Sequence, residues 1–259
     1  MGTHIRSAKT NSRILPNGLS FYLDAGNSRS FDNTSNVWKD LSGYNRNGTL
    51  NNSPTFIYNN SSSYFVFDGI DDNMTTSYPI TATPALGNWT YEIWTELTSY
   101  PTSLGFPNIY GISYRAGTLF GAVNNAGAAL YWYGDSTGSS CVMYGVIKGN
   151  DAYRSTPGFG MQLNKTYHFS LVNNYSAGTI TLFVNGTYFS ATSAATQEYN
   201  AASVSGLNIG IAQPQVDVGG QANYSYYPGR IKAARIYGIA LTEAQLAEHF
   251  YAFRQRYGV

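Results

Sequence analysis

From Gly18 onward the chain consists mainly of short runs in which apolar and polar positions alternate, broken by turn residues. LSFYLD (19–24), YFVFDG (64–69), WTYEIWTEL (89–97), NIYGISY (108–114), TLFGAV (118–123), YHFSLV (167–172), TITLFV (179–184) and RIKAARIY (230–237) all read as strands. Asn185-Gly186 lies between TLFV and TYFS. This pair is a strong hairpin signal, because both central positions of a type I′ turn need positive φ. No run of helical period separates the strands, which argues against a parallel β-α-β arrangement. Many antiparallel strands at short spacing predict an all-β antiparallel jelly-roll sandwich.

One helix is predicted, around 242–256. Thr242 and Gln245 form a capping box, and Leu246, Phe250, Phe253 and Tyr257 recur at helical spacing as one apolar stripe. Arg254 and Arg256 fall in the last turn, where cations suit the helix dipole, and Gly258 can close it. The stripe predicts a helix packed on the sandwich. Residues 1–17 show no periodicity and carry Arg6, Lys9 and Arg13, so they read as an arm ahead of one domain spanning 18–259.

Composition narrows the function. The 15 Lys+Arg against 14 Asp+Glu leave a net charge of +1, which argues against nucleic acid as a partner. The 43% hydrophobic and 15% aromatic content supplies a core, and 23 tyrosines replace much of the usual charge. Cys141 is the sole cysteine, so no internal disulfide is expected, and it reads as a small buried hydrophobe. His4, His168 and His249 share no motif with it. The N-terminal MGTHIRSAKTNSRILPNG lacks the apolar core of a secretory leader, and no run is long enough to insert in a membrane.

Three segments, GLSFYLDAGNSRSF…VWKDLSGYNRNGTL (18–50), FVFDGIDDNM (65–74) and GRIKAARIYGIALTEAQLAEHFYAFRQRYG (229–258), carry a resemblance when read with WTYEIW (89–94) and LFVNG (182–186). Together they resemble concanavalin A-like, laminin G-like jelly-roll domains, in the versions found in structural proteins of tailed bacteriophages. The resemblance implies two curved antiparallel sheets, frequent calcium sites and frequent carbohydrate or protein binding. It also implies a virion location, with assembly in a host cytoplasm and release by lysis. The arm would then anchor the domain to other virion proteins, and homo-oligomers would be compatible with such a particle.

Candidate sites follow from the residues. DGIDDN (68–73) gathers hard oxygen ligands at a glycine turn, so Asp71 and Asp72 are candidate calcium ligands. The competing reading has Asp68 and Gly69 shaping the turn while Asp71 and Asp72 are solvated. A second candidate metal loop holds Asp40 and Asn45, with Asn47 and Asp24 nearby. Relatives often end in "G.IDDVRIY", whereas this chain has GRIKAARIY with Lys232 and Ala233, which weakens a site borrowing a C-terminal ligand.

Tyr131 and Tyr133 in LYWYGD, and Tyr224 and Tyr226 in NYSYYPG, are the candidate contacts for a carbohydrate or a protein partner. Aromatic planes stack on sugar C–H faces and pack equally well on proteins. The competing reading buries these rings in the core. Glu92, Trp94 and Glu96 share one face of WTYEIWTEL, and laminarinase-type hydrolases of this fold carry two catalytic glutamates on one strand flanking an Asp. Here Trp94 stands where that Asp would be. Residues i and i+4 of a straight strand lie roughly 13 Å apart, whereas retaining glycosidases hold their carboxyls about 5–5.5 Å apart. The expectation is therefore a non-enzymatic virion surface protein that also binds host glycans. The alternatives are a free lectin module and, behind it, a hydrolase.

Overall fold

The computed structural model describes residues 17–60, 62–78, 87–100, 115–123, 127–134, 138–148, 153–193, 207–211, 215–216, 222–223 and 226–259. The arm read at 1–17 lies outside them except for Asn17, as does the strand expected at 108–114. The first strands are β1 (Leu19–Asp24), β2 (Val37–Trp38), β3 (Gly48–Asn51), β4 (Thr55–Ile57), β5 (Tyr64–Asp68), β6 (Asn73–Thr76) and β7 (Trp89–Leu97). The middle of the chain gives β8 (Arg115–Val123), β9 (Gly127–Gly134), β10 (Cys141–Lys148), β11 (Tyr153–Ser155), β12 (Phe159–Gly160) and β13 (Thr166–Asn174). Then come β14 (Thr179–Val184), β15 (Thr187–Ser193), β16 (Asn208–Ile211), β17 (Gln215–Val216), β18 (Ala222–Asn223), β19 (Pro228–Tyr237) and α1 (Glu243–Tyr257).

These strands form two antiparallel sheets and a small β17–β18 ribbon. One sheet runs β15-β14-β13-β7-β19-β5-β4, with β1 also paired to β19. The other runs β11-β10-β9-β8-β16-β6-β3-β2, with β12 paired to β10. Alternation sends one face of each strand inward. Phe21, Phe65, Ile93, Trp132, Met143, Phe169 and Ile231 are all buried in the core between the sheets. Cys141 is buried there too.

The β14–β15 hairpin turns at Asn185 (φ 54°) and Gly186 (φ 77°), as the Asn-Gly pair predicts. Gly186 is also where α1 comes down on the sheet. A Cβ at this position would stand 2.8 Å from the Ala247 Cα and 2.9 Å from the Phe250 Cβ. α1 has the predicted capping box at Thr242 and ends at Gly258 in the left-handed conformation. It packs on the outer face of the first sheet, so β7, at that sheet's centre, is buried at all nine residues. A bulge between Ile231 and Ala233 in the β19–β7 register turns Lys232 toward the end of the helix. Its Nζ donates to the Tyr257 carbonyl at 2.7 Å and to Thr166 Oγ1 at 2.8 Å. Lys232 thus neutralises a helix C-terminus.

Candidate functional site

The acidic turn comes first, because its chemistry is the most specific. Oxygens of Asp68, Asp71 and Asp72 lie within 4.8 Å of one another. Gly69 (φ 76°) makes the tight turn between β5 and β6. Asp68 Oδ1 accepts from the backbone N–H of Ile70 at 2.7 Å and of Asp71 at 3.2 Å, so this residue shapes the turn. Asp72 Oδ2 accepts from the Asp68 N–H at 3.1 Å. Burial, seconded by the charges of Asp68 and Asp71, pushes Asp72 up to about 6 against the pull of that hydrogen bond. Three carboxylates that repel one another at close range form a donor set suited to a hard divalent cation.

The second loop is built differently. The Asp40 carboxylate accepts from the N–H groups of Tyr22 (2.9 Å), Ser42 (2.9 Å) and Arg46 (3.0 Å) and from Ser42 Oγ (2.7 Å). Four donors fill a carboxylate's ordinary acceptor capacity, so Asp40 ties its loop to β1. Asn45 sits exposed at φ 57°, a turn conformation that asparagine tolerates. Asp24 is buried, takes the Tyr22 hydroxyl at 2.7 Å and pairs with Arg256.

The aromatic candidates divide. Tyr224 lies outside the described residues, and Tyr226 is half-buried beside the fully buried Tyr227. Tyr131 and Tyr133 are half-buried on β9, while Leu130 and Trp132 of the same strand fill the inter-sheet core. The two tyrosines therefore face outward. Across the register Tyr131 stands opposite Tyr144 and Tyr133 opposite Val142. The rings of Tyr133 and Tyr144 meet edge to face at 6.3 Å. Ala129, Val146, Tyr131 and Tyr144 make a small cluster on this face, separate from the main core. Gly158 lies close over it, where a Cβ would meet Val142 at 2.3 Å and Tyr144 at 2.6 Å.

Glu92 and Glu96 share a face as alternation predicts, and the structure puts the helix over that face. Glu92 is 1% exposed. His249 Nδ1 from α1 lies 3.0 and 3.1 Å from its two oxygens, and His168 Nε2 from β13 lies 3.1 Å from Oε1. An ionised carboxylate only accepts, so both ring nitrogens carry the proton there. Burial opposes the charge on Glu92, but the two histidines outweigh it and hold the carboxyl well below the usual range. Burial holds His168 below its ordinary value, against the pull of Glu92. Arg235 Nη1 lies 3.9 Å from Glu92 Oε2. Its guanidinium packs on the rings of Tyr22 (4.8 Å) and Phe253 (4.4 Å).

Sequence reasoning did not connect this cluster. Its one local signal is His249, a polar residue within the apolar helix stripe. The partners of His249 come from β7, β13 and β19, and no local pattern specifies that meeting.

Glu96 lies at a groove of about 700 Å³ beside the end of α1, with Arg230, Lys232, Lys165 and Tyr64 on its walls. Arg230 holds Glu96 Oε1 at 2.6 Å, and Thr166 donates to Oε2 at 3.1 Å. Among the described lining residues Glu96 is the only carboxylate side chain. A two-carboxylate hydrolytic site would need a second one across the scissile bond. Glu92 is sealed under the helix and does not supply it.

Against known structures the fold has clear parallels. The receptor-binding domain of botulinum neurotoxin D superposes with a TM-score of 0.63 at 16% identity, covering 91% of this chain and 53% of that one. The binding domain of botulinum neurotoxin DC, in complex with SialylT, gives 0.61 at 14% identity, with 92% and 52% covered. A Trypanosoma rangeli sialidase, in complex with 2,3-difluorosialic acid, gives 0.58 at 15% identity, with 92% and 33% covered. The chain thus spans about half the length of the neurotoxin domains and a third of the sialidase. No curated protein sequence matches it. The sequence pattern of the concanavalin A-like lectin/glucanases superfamily matches residues 67–247, most of the chain. With the two-sheet sandwich in place, the match shows that this chain is a member of the concanavalin A-like lectin/glucanases superfamily.

Proposed function

We propose that this chain is a non-catalytic glycan-binding module whose contact surface is the outer tyrosine face of β9 and β10. One observation carries the reading: Tyr131, Tyr133 and Tyr144 stand partly exposed in a group on the face opposite the core. Such rings offer flat C–H acceptor surfaces with a polar tip, the combination that recognises a sugar. Superfamily membership supports the reading, as do similar folds in proteins solved in complex with SialylT and with 2,3-difluorosialic acid. The sealing of Glu92, and Glu96 standing as the single carboxylate side chain among the described residues of the groove, favour binding over hydrolysis.

The setting belongs to the same proposal. Segments 18–50, 65–74 and 229–258 resemble domains of tailed-phage structural proteins, and on that ground the chain is a virion surface component. Residues 1–17 would seat it on the particle, with Ile5, Ile14 and Leu15 as apolar contacts and Arg6, Lys9 and Arg13 as charged ones. Calcium belongs at Asp68, Asp71 and Asp72 in this reading.

The test is a glycan array probed with the full chain, alongside an assay for release of reducing sugar from every glycan bound. Binding without turnover is the expected result. Turnover abolished by Glu96→Gln would overturn the binding reading, and an array with no signal would leave the domain as a structural cover only.

A further inference from the structure

A pocket of about 480 Å³ lies on another part of the molecule, between the loop that follows β1 and the turn joining β4 to β5. This volume is within the range of small-ligand sites. Phe31 and Phe56 line it, with ring centroids 4.8 Å apart, and Phe31 packs on Phe65 of the main core at 4.7 Å. The floor is therefore continuous with the main core. On the wall stands Tyr58, 75% exposed. A large ring left this open beside an aromatic floor loses apolar contact that a ligand can restore.

The rim is polar and already ordered. Asn33 (φ 58°) and Asn60 (φ 47°) both line the pocket in the left-handed region, which asparagine adopts in turns. Short hydrogen bonds fix their loops. Ser63 Oγ donates to the Asn60 carbonyl at 2.6 Å and accepts from the Asn59 N–H at 2.9 Å, and Ser30 Oγ donates to the Lys39 carbonyl at 2.7 Å. Asn60 Oδ1 accepts the Tyr58 hydroxyl at 3.1 Å, leaving its amide hydrogens for a ligand. Asp32 is the charged group in the lining. Lys39 at 2.6 Å, with Thr34, holds it well below the usual carboxylate range, so it stays an anion and an acceptor.

The geometry points to a second saccharide site here, taking one neutral sugar unit stacked on Tyr58, with its hydroxyls bonded to Asp32, Asn33 and Asn60. An aromatic plane flanked by amides and a carboxylate suits the alternating apolar and hydroxyl faces of a pyranose. No cation is among the described residues that line the pocket, so an acidic sugar finds no counter-ion there. Preformed loops lower the ordering cost of binding a ligand of this size. This inference rests on the glycan-binding reading but places the contact away from Tyr131 and Tyr133.

The test is a nuclear magnetic resonance titration of the isotope-labelled full chain with N-acetylglucosamine, galactose and mannose, and with N-acetylneuraminic acid as the acidic control. At least one neutral sugar should shift resonances of 26–33 and 58–63. Tyr58→Ala should weaken that effect roughly tenfold, as truncation of an aromatic anchor does. Tyr58→Phe, which keeps the ring, should retain most of it, and N-acetylneuraminic acid should leave the pocket unshifted. Shifts confined to 129–146 would overturn the pocket while upholding the tyrosine face. Shifts confined to the pocket would do the reverse. Equal binding of the acidic sugar, or indifference to Tyr58→Ala, would also overturn it.

Discussion

Glu92 is the residue whose sequence reading and structural role differ most. On alternation it is a polar position on the face opposite the core, and in hydrolases of this fold such a position carries chemistry. Here it is the anion that neutralises Arg235 and fixes two histidine rings between sheet and helix. Removing one partner of a buried ionic cluster leaves the others uncompensated. Glu92→Gln should therefore lower the unfolding free energy by about 3 kcal/mol, read by urea denaturation, with glycan binding unchanged in the folded fraction. The cluster also predicts acid sensitivity. Burial depresses His168 in the folded state, so below its unfolded value of 6.5 the unfolded chain binds more protons. Among the described residues its Nδ1 has no hydrogen-bond partner, so protonation would put an N–H there with no acceptor among them. Stability should be full well above pH 6.5 and fall as the pH drops below that value, with Glu92 adding to the loss below its own unfolded value of 4.5. Denaturation midpoints across that range check the slope, and His168→Gln should flatten its upper part. That Tyr131 and Tyr133 share one side of their strand was legible because alternation is local, but which side faces the core was not. The convergence of Glu92, His168, His249 and Arg235 was not, because four separate elements contribute to it.

At the scale of elements, the features written in adjacent residues were readable. The Asn185-Gly186 turn, the Thr242–Gln245 capping box and the Gly258 stop all lie where propensity places them. That α1 packs on the sandwich was readable from its apolar stripe, but which sheet it covers was not, since a stripe specifies a covered face without naming the cover. Gly186 joins the two kinds of information: it satisfies the turn and also lets the helix close on it. Gly186→Ala would strain a positive φ and push on Ala247 and Phe250, so it should cost roughly 2 kcal/mol. Thermal unfolding measures the loss, whereas Gly178→Ala, also at positive φ but with open space around it, should cost less. The β5–β6 turn makes the other prediction. With Asp72 pushed up to about 6, calcium must displace its proton at low pH. Millimolar calcium should raise the melting temperature more at pH 7.5 than at pH 5, and chelator should reverse the rise. A melting temperature indifferent to calcium and chelator at both values would leave these carboxylates as turn residues alone.

Viewed as a whole, the molecule is a sandwich with one sheet face closed by α1 and another carrying half-buried tyrosines beyond the core. The fold class was legible because β1, β5, β7, β8, β13, β14 and β19 announce their own alternation, and the family resemblance rested on the order and spacing of such segments. Sheet order was not, since β19 joins β7 on one side and both β1 and β5 on the other, pairings between segments distant in sequence. The asymmetry of the two outer faces underlies the proposed function: α1 covers one of them, and half-buried tyrosines stand on the other. The direct test is calorimetric titration of the strongest glycan from the array into the full chain and into a Tyr131→Ala/Tyr133→Ala variant. Circular dichroism should first show the variant to be folded. The account predicts measurable binding by the natural chain and a loss of at least roughly tenfold in the variant, as for paired aromatic anchors. Equal affinity of the two proteins for the same glycan would contradict it.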